Sequence, residues 1–459
     1  MISSLLNKDT IVALSTAAGH GAIAVIRLSG PEAIAMVNGV FKGKNLEKQV
    51  THTLHFGTIR DQEKILDEVV VGLFKGPNSY TKEDVVEVSC HGSPYITEQL
   101  LRLFLQQGAR LAEPGEFTKR AFLNGQFDLA QAEAVADLIA SDSALTHQVA
   151  MKQMRGGFSQ EIKVLRAQLI HFASMVELEL DFSEEDVEFA DRTALRKLIQ
   201  TLQKLIQDLL QSFEMGNVLK NGVPTVIAGK PNAGKSTLLN ALLNEEKAIV
   251  SDIPGTTRDV IEDEVMISGI RFRFIDTAGL RDTQDTVEAI GVARTKEQLQ
   301  KAALVLYLFD VTTTTPYELQ QEVEDLQLPS VPYLLLGNKQ DLASPAQLEN
   351  FKDFDSLLFL SAGNKEGMED LKQALLHQVH ANQAITGDRT IVTNLRHFQG
   401  LEKTNVALLE VVQGLDNGLS SDWLAADIRR ALFYLGEITG EITTDDLLDN
   451  IFTKFCIGK

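Results

Sequence analysis

The stretch Gly229-Lys230-Pro231-Asn232-Ala233-Gly234-Lys235-Ser236 limits what this chain can fold into more than any other. It follows an apolar run, Val223 to Ala228, and precedes a run of helical character, Thr237 to Leu243. A strand, a glycine-bearing loop and a helix are the setting in which G-x-x-x-x-G-K-[ST] becomes a phosphate cradle. Backbone N–H groups of the loop, Asn232 to Gly234, and of the helix start through Thr237 would surround a polyphosphate. Lys235 would sit against the β/γ oxygens, and the Ser236 hydroxyl would ligate Mg²⁺.

From about 217 to 380 the chain alternates strand and helix, with strands expected at Val223–Ala228, Arg271–Ile275, Leu304–Phe309, Tyr333–Leu336 and Leu357–Leu360. This pattern predicts a doubly wound α/β sheet with its ligand at the carboxyl ends of the strands. Asp276-Thr277-Ala278-Gly279 follows a strand, as D-x-x-G requires. Asp276 would hold the Mg²⁺ shell through water, and the Gly279 N–H would meet a γ-phosphate. Thr257, within Gly255-Thr256-Thr257-Arg258-Asp259, is placed to bring its hydroxyl to Mg²⁺. Asn338-Lys339-Gln340-Asp341 matches N-K-x-D: a carboxylate at Asp341 can accept both N1–H and N2–H₂ of guanine, and adenine offers neither donor there. Ser361-Ala362-Gly363 would support the guanine O6. Together the motifs select GTP over ATP. One position departs from the Ras-like scheme, because Leu280 stands where those proteins place a water-orienting glutamine. Leucine can neither polarise nor orient water, which leaves Arg281, Asp282, Asp285 and Glu288 as candidates that spacing does not separate.

The 459-residue length suggests about three domains. Residues 1–118 read as α+β, with strands at Ile11–Leu14, Ala22–Leu28, Thr51–Ile59, Glu68–Phe74 and Val85–Cys90 and helices at Pro31–Val40 and Ser93–Gln107. Arg27 and Glu87 stand as single charges within apolar strands. Residues 119–216 read as helical, and one helix starting at Asp128 could run toward Leu180; 381–459 read as a second helical block. Two separated blocks need each other to bury their apolar stripes, which predicts one all-α domain with the nucleotide module, 217–380, inserted between its halves. A formal net charge of −20 argues against a general polyanion binder. Cys90 and Cys456 form no disulfide framework, and no run approaches the ~18 apolar residues of a spanning helix. The expectation is a soluble cytoplasmic protein with no membrane part.

With these residues in view, the chain resembles the MnmE (TrmE) tRNA-modification GTPase family over essentially its whole length. The resemblance rests on Gly229 to Ser236, Gly255 to Asp259 and Asp276-Thr277-Ala278-Gly279-Leu280-Arg281. Outside the module it rests on Pro114-Gly115-Glu116-Phe117, Ala121-Phe122-Leu123-Asn124, Asp128 to Ala134 and the ending Phe455-Cys456-Ile457-Gly458-Lys459. It implies potassium activation, with K⁺ in the place of an arginine finger, held by Asn232, Ser251, Ile253 and Thr256. It extends the GTP-contacting set through Asp252 and Pro254, and matches Glu288 to the family's catalytic glutamate. The N-terminal domain resembles a folate-binding, dimer-forming domain. Arg27, Glu87 and Lys459 match positions contacting a one-carbon folate (5-formyl- or methylene-tetrahydrofolate), and Gln126 falls where a basic residue is common.

The resemblance further implies a homodimer and a heterotetramer-type complex with the FAD-dependent partner MnmG (GidA). The expected output is aminomethyl or carboxymethylaminomethyl addition at C5 of the wobble uridine of tRNA. Two other classes compete: a regulatory or ribosome-assembly GTPase without modification chemistry, and a folate-dependent methyltransferase-like enzyme with GTP as effector. The folate-like N-terminal domain and terminal Cys-Ile-Gly-Lys favour the first reading.

Overall fold

The structure is a computed structural model that describes residues 9–181, 192–245, 263–275, 302–325, 332–378 and 390–458. The chain folds into two compact units, one comprising 1–140, 150–203 and 400–459, the other 141–149 and 204–399.

The first unit begins with a seven-stranded sheet in the order β3-β4-β5-β6-β2-β1-β7. Its strands are β1 (Ile11–Leu14), β2 (Ile23–Ser29), β3 (Phe41–Lys42), β4 (Thr53–Asp61), β5 (Lys64–Phe74), β6 (Val85–His91) and β7 (Arg110–Leu111). Helices α1 (Ala33–Val40) and α2 (Pro94–Gln106) cover one face, so Val69, Val71, Val86 and Val88 pack against Val37, Leu100 and Phe104. Strand side chains alternate between faces, and the opposite face keeps Leu54, Phe56 and Val70 exposed at 73%, 69% and 38%. Phe56 lies in register with Val70, and Val70 with Ser89, so these residues form one continuous strip.

After the sheet come α3 (Glu116–Leu123), α4 (Leu129–Ile139), α5 (Ala144–Met154), α6 (Gly157–Asp181) and α7 (Arg192–Asn221). The single long helix expected from Asp128 is three helices. Asp128 caps α4 through the Gln131 N–H in a reciprocal box. The chain then breaks at Ser143, whose hydroxyl accepts from the Thr146 N–H while its own N–H donates to the Thr146 hydroxyl. It breaks again at Gly156, with φ of 84°. Serine side chains compete with helical backbone bonds, and glycine alone takes that left-handed turn cheaply.

The buried residues Ile162, Leu165, Leu169, Ala173 and Val176 recur along α6 at spacings of three and four. Leu424, Ile428, Ala431, Leu435 and Ile438 do so later in the chain, and these two stripes face each other. This is the pattern of a helical bundle.

In the second unit a six-stranded sheet runs in the order β13-β12-β11-β8-β10-β9. The strands are β8 (Val223–Ala228), β9 (Asp263–Ile267), β10 (Ile270–Phe274), β11 (Leu304–Asp310), β12 (Tyr333–Asn338) and β13 (Leu357–Phe359). All pairings are parallel except β9 with β10, an antiparallel edge that the sequence pattern did not announce. Leu304 to Phe309 are buried without alternation, as a strand covered on both faces must be. Helices α8 (Lys235–Glu245), α9 (Pro316–Asp325), α10 (Pro345–Glu349) and α11 (Met368–Gln378) accompany the sheet. Leu238, Leu242, Leu371 and Leu375 fill one face, and Leu319 and Phe351 the other. On the first of these faces Leu145 and Val149 join the core, and Asp142 pairs with Arg271 of β10. The remaining helices are α12 (Leu395–Asp416), α13 (Ser421–Thr439) and α14 (Asp445–Phe452). No helix among the described residues is long and apolar enough to cross a membrane.

Candidate nucleotide site

The parallel strands β8, β12 and β13 end on the three loops that the motifs single out. Gly229, with φ of 142°, lies so close to β11 that a Cβ there would overlap the Leu308 carbonyl. At Gly234, φ of 101°, a Cβ would overlap the side-chain nitrogen of Asn338. Glycine is required at both positions by conformation and by space. Between them Asn232 adopts the left-handed region at φ of 64°, which asparagine tolerates better than most residues. The Lys235 ammonium curls back over the loop and donates to the carbonyls of Gly229 (2.7 Å) and Lys230 (2.9 Å). Burial pushes its pKa down, so a polyanion in the loop would restore the charge that desolvation opposes. Ser236 and Thr237 occupy the first turn of α8. Lys230 itself pairs with Glu322 of α9.

Asn338 joins the loops. It is 3% exposed, its amide nitrogen donates to the Ala233 carbonyl (2.8 Å), and its amide oxygen accepts from the Ala362 N–H (3.0 Å). One buried side chain therefore ties the phosphate-type loop to the Ser361-Ala362-Gly363 loop. Lys339 takes a left-handed conformation at φ of 63° and pairs with Asp310 at 2.6 Å. Burial would raise the Asp310 carboxyl, but hydrogen bonds from Lys339 and Thr312 outweigh it and hold the pKa below the ordinary value. Asp341 is exposed on a single 3₁₀ turn, Gln340–Leu342, that is held by the Gln340 N–H donating to the Leu360 carbonyl. The arrangement offers backbone donors and a lysine at one end and a free carboxylate at the other, as a guanine nucleotide needs.

Thus Asn232 to Thr237, Asn338, Lys339, Asp341 and Ser361 to Gly363 come together on one sheet edge. The expected contacts at Ser251, Asp252, Ile253, Pro254, Gly255, Thr256, Thr257, Asp276, Thr277, Ala278 and Gly279 lie outside the described residues, as do Leu280 and Glu288. Asp310 and Glu322 were not singled out from the sequence, because motif spacing does not reveal a partner contributed by another element.

In the first unit, Arg27 and Glu87 are cross-strand partners in β2 and β6. The Arg27 Nε and Nη2 donate to one Glu87 oxygen at 2.9 and 2.8 Å. The guanidinium lies over the rings of Tyr80 (5.3 Å) and Phe117 (5.6 Å), two residues that sequence spacing did not mark. Gln126 is exposed just beyond α3, and Lys459 lies outside the described residues. The tail ahead of it is seated: Ile457 bridges to Pro114, the Gly115 N–H donates to the Cys456 carbonyl, and the Ser15 hydroxyl donates to the Gly458 carbonyl at 3.1 Å.

Two family models match the chain: GTP-binding protein TrmE N-terminus over residues 10–126, and MnmE helical domain over residues 129–456. A Cytophaga hutchinsonii protein named tRNA modification GTPase MnmE is 62% identical, covering 99% of this chain and 98% of that protein. The proteins of the same name from Flavobacterium johnsoniae and Bacteroides thetaiotaomicron are 54% and 50% identical, each covering 99% of this chain and all of theirs. Among solved structures, the G domain of the T. maritima FeoB iron transporter matches 34% of this chain and 98% of its own at 26% identity and a TM-score of 0.25. Elongation factor SelB from Methanococcus maripaludis, bound to GppNHp, matches 34% of each chain at 15% identity and a TM-score of 0.27.

Proposed function

The chain belongs to the MnmE family of tRNA-modification GTPases, and from that premise we propose that its hydrolysis of GTP is potassium-activated and serves C5 modification of the wobble uridine. The observation that carries the nucleotide half of this reading is the Asn338 bridge, which fixes the phosphate-type loop and the base-type loop relative to each other. In this proposal Asn232 to Thr237 and Asn338, Lys339, Asp341 and Ser361 to Gly363 hold GTP, together with Ser251 to Thr257 and Asp276 to Gly279. Ser236 and Thr257 hold Mg²⁺, whose charge would offset that developing on the phosphates. Asn232, Ser251, Ile253 and Thr256 hold K⁺. The exposure of Asn232 supports this, because its amide is not committed to the core. Glu288 orients the attacking water, a task for which Leu280 has no polar atom.

For a one-carbon folate, the Arg27–Glu87 pair offers hydrogen-bonding groups to a polar-edged ring, with the Arg27 guanidinium braced over Tyr80 and Phe117. The side chains of the pair are 20% and 31% exposed, open enough to meet a ligand. The tail is seated on this unit as far as Gly458, whose carbonyl accepts from Ser15 just beyond β1, and this supports the assignment of the residue after it to the folate set. A homodimer through this domain is supported by the exposed apolar strip of Leu54, Phe56 and Val70, a composition expected of a surface that a second copy covers. The chemistry also calls for the FAD-dependent partner MnmG, and the protein would work in the cytoplasm. The test is mass spectrometry of wobble nucleosides in cells lacking the protein. Loss of the aminomethyl and carboxymethylaminomethyl uridines is expected, and unchanged uridine modification would overturn the proposal.

A further inference from the structure

Glu322 stands on α9, outside every nucleotide motif, yet both of its carboxylate oxygens are engaged at the root of the phosphate-type loop. One oxygen pairs with the Lys230 ammonium and the other accepts from the Tyr307 hydroxyl. Tyr307 is 2% exposed and lies in register with Ala228, the residue that leads into Gly229. Lys230 follows Gly229, and its carbonyl is one of the two that Lys235 grips. The glutamate side chain is 16% exposed, whereas that of Lys230 is 58% exposed. A carboxylate is thus withdrawn from water to hold a lysine that could be fully hydrated. Ion pairs with an exposed partner add little to folding stability. The pair is anchored on a backbone that carries a left-handed asparagine two residues later, at Asn232.

We propose that Glu322 is a positioning residue for the nucleotide: through Lys230 it holds the carbonyls that Lys235 grips, and so keeps the loop in the shape that receives the phosphates. Preorganisation of this kind acts on affinity, by removing the ordering that binding would otherwise have to supply. Glu318, one turn earlier on α9, adds negative charge near the same ammonium. The inference rests on the reading of Gly229 to Ser236 as the phosphate loop.

The experiment is stopped-flow dissociation of N-methylanthraniloyl-GDP from the full-length protein, with steady-state GTP hydrolysis alongside. Glu322→Gln keeps an oxygen for Tyr307 and loses the charge. It should speed GDP release roughly two- to fivefold and raise KM in proportion, with the effect in KM rather than kcat. Lys230→Met should do the same, and the double variant should be no worse than either single one. Unchanged release in Glu322→Gln, or additive effects in the double variant, would overturn the proposal. Lys235→Ala separates the two levels. If it abolishes GDP binding while Glu322→Gln leaves release unchanged, the loop reading stands and the positioning role falls. If it binds as the parent does, both fall.

Discussion

Replacing Asn338 by alanine removes two buried hydrogen bonds at once, to the Ala233 carbonyl and from the Ala362 N–H. Ala233 and Ala362 are each 3% exposed, so bulk water does not reach the orphaned groups. A buried polar group left without a partner costs about 1–3 kcal/mol, so the pair amounts to about 2–6 kcal/mol. A water admitted into the space of the lost amide would bring this toward about 2–3 kcal/mol. Half of that, expressed as looser coupling between the phosphate-type and base-type loops, weakens GDP binding about tenfold. The assay is fluorescence titration of N-methylanthraniloyl-GDP, paired with hydrogen exchange at the Ala362 amide. The expected results are a Kd about tenfold higher and a loss of protection at Ala362. A Kd within about threefold of the parent's, together with unchanged protection, would refute the bridging argument.

Other substitutions and conditions have equally definite expected outcomes. Asp341→Asn should weaken GTP roughly 10- to 100-fold and improve xanthosine triphosphate, because the amide offers a donor where guanine needs an acceptor; competition binding reads both. Hydrolysis should be much faster in KCl than in NaCl, and Glu288→Ala should bind GTP while losing roughly 100-fold in turnover; equal rates in the two salts would remove the cation role. Arg120, 5% exposed among Asp9, Glu83 and Glu116, should cost about 3–5 kcal/mol when replaced by methionine, read from thermal unfolding. The same network sets an acid limit. Burial would raise the carboxyls of Asp9 and Glu116, but Arg110 and Arg120 outweigh it and hold both pKa values below the ordinary ones. Their contribution is therefore complete above the unfolded values near pH ~4 and is lost as pH falls through the depressed folded values. Glu116→Gln should flatten that acid limb of the unfolding midpoint.

Local features read well from the sequence. The strand Val223–Ala228 ends where the apolar run ends, and its one polar side chain, Thr225, is buried with its hydroxyl donating to the Val223 carbonyl. Glycines 229 and 234 marked a strained loop that the close approach to Leu308 and Asn338 explains. Non-local pairing did not read well. Arg27 and Glu87 looked like two isolated strand charges, and their partnership depends on a β2–β6 register that a separation of 60 positions conceals. Asp142 looked like part of a long helix, but its ion pair with Arg271 and the Ser143–Thr146 turn lie at a break in that helix. Glu322 had no motif to announce it, since its role is set by a helix laid beside the loop. For Arg27, Glu87 and Glu322 the missing quantity was a distance between elements far apart in the chain, and for the long helix it was a pair of local breaks at Ser143 and Gly156.

The seating of Gly458 has a consequence for how the protein is made. A Cβ at this residue would overlap the Leu14 carbonyl, and its own carbonyl accepts from Ser15, a partner 443 residues away. At synthesis rates of 5–20 residues per second, roughly 20–90 s separate the appearance of the two partners. The β-sheet can assemble early, but the contacts of the tail with Pro114, Gly115 and Ser15 form only once the residues around Gly458 have left the ribosome. Completion of the proposed folate site thus waits on a segment made long after the rest of its domain, and a chain cut short before Cys456 would fold that domain without ever finishing it.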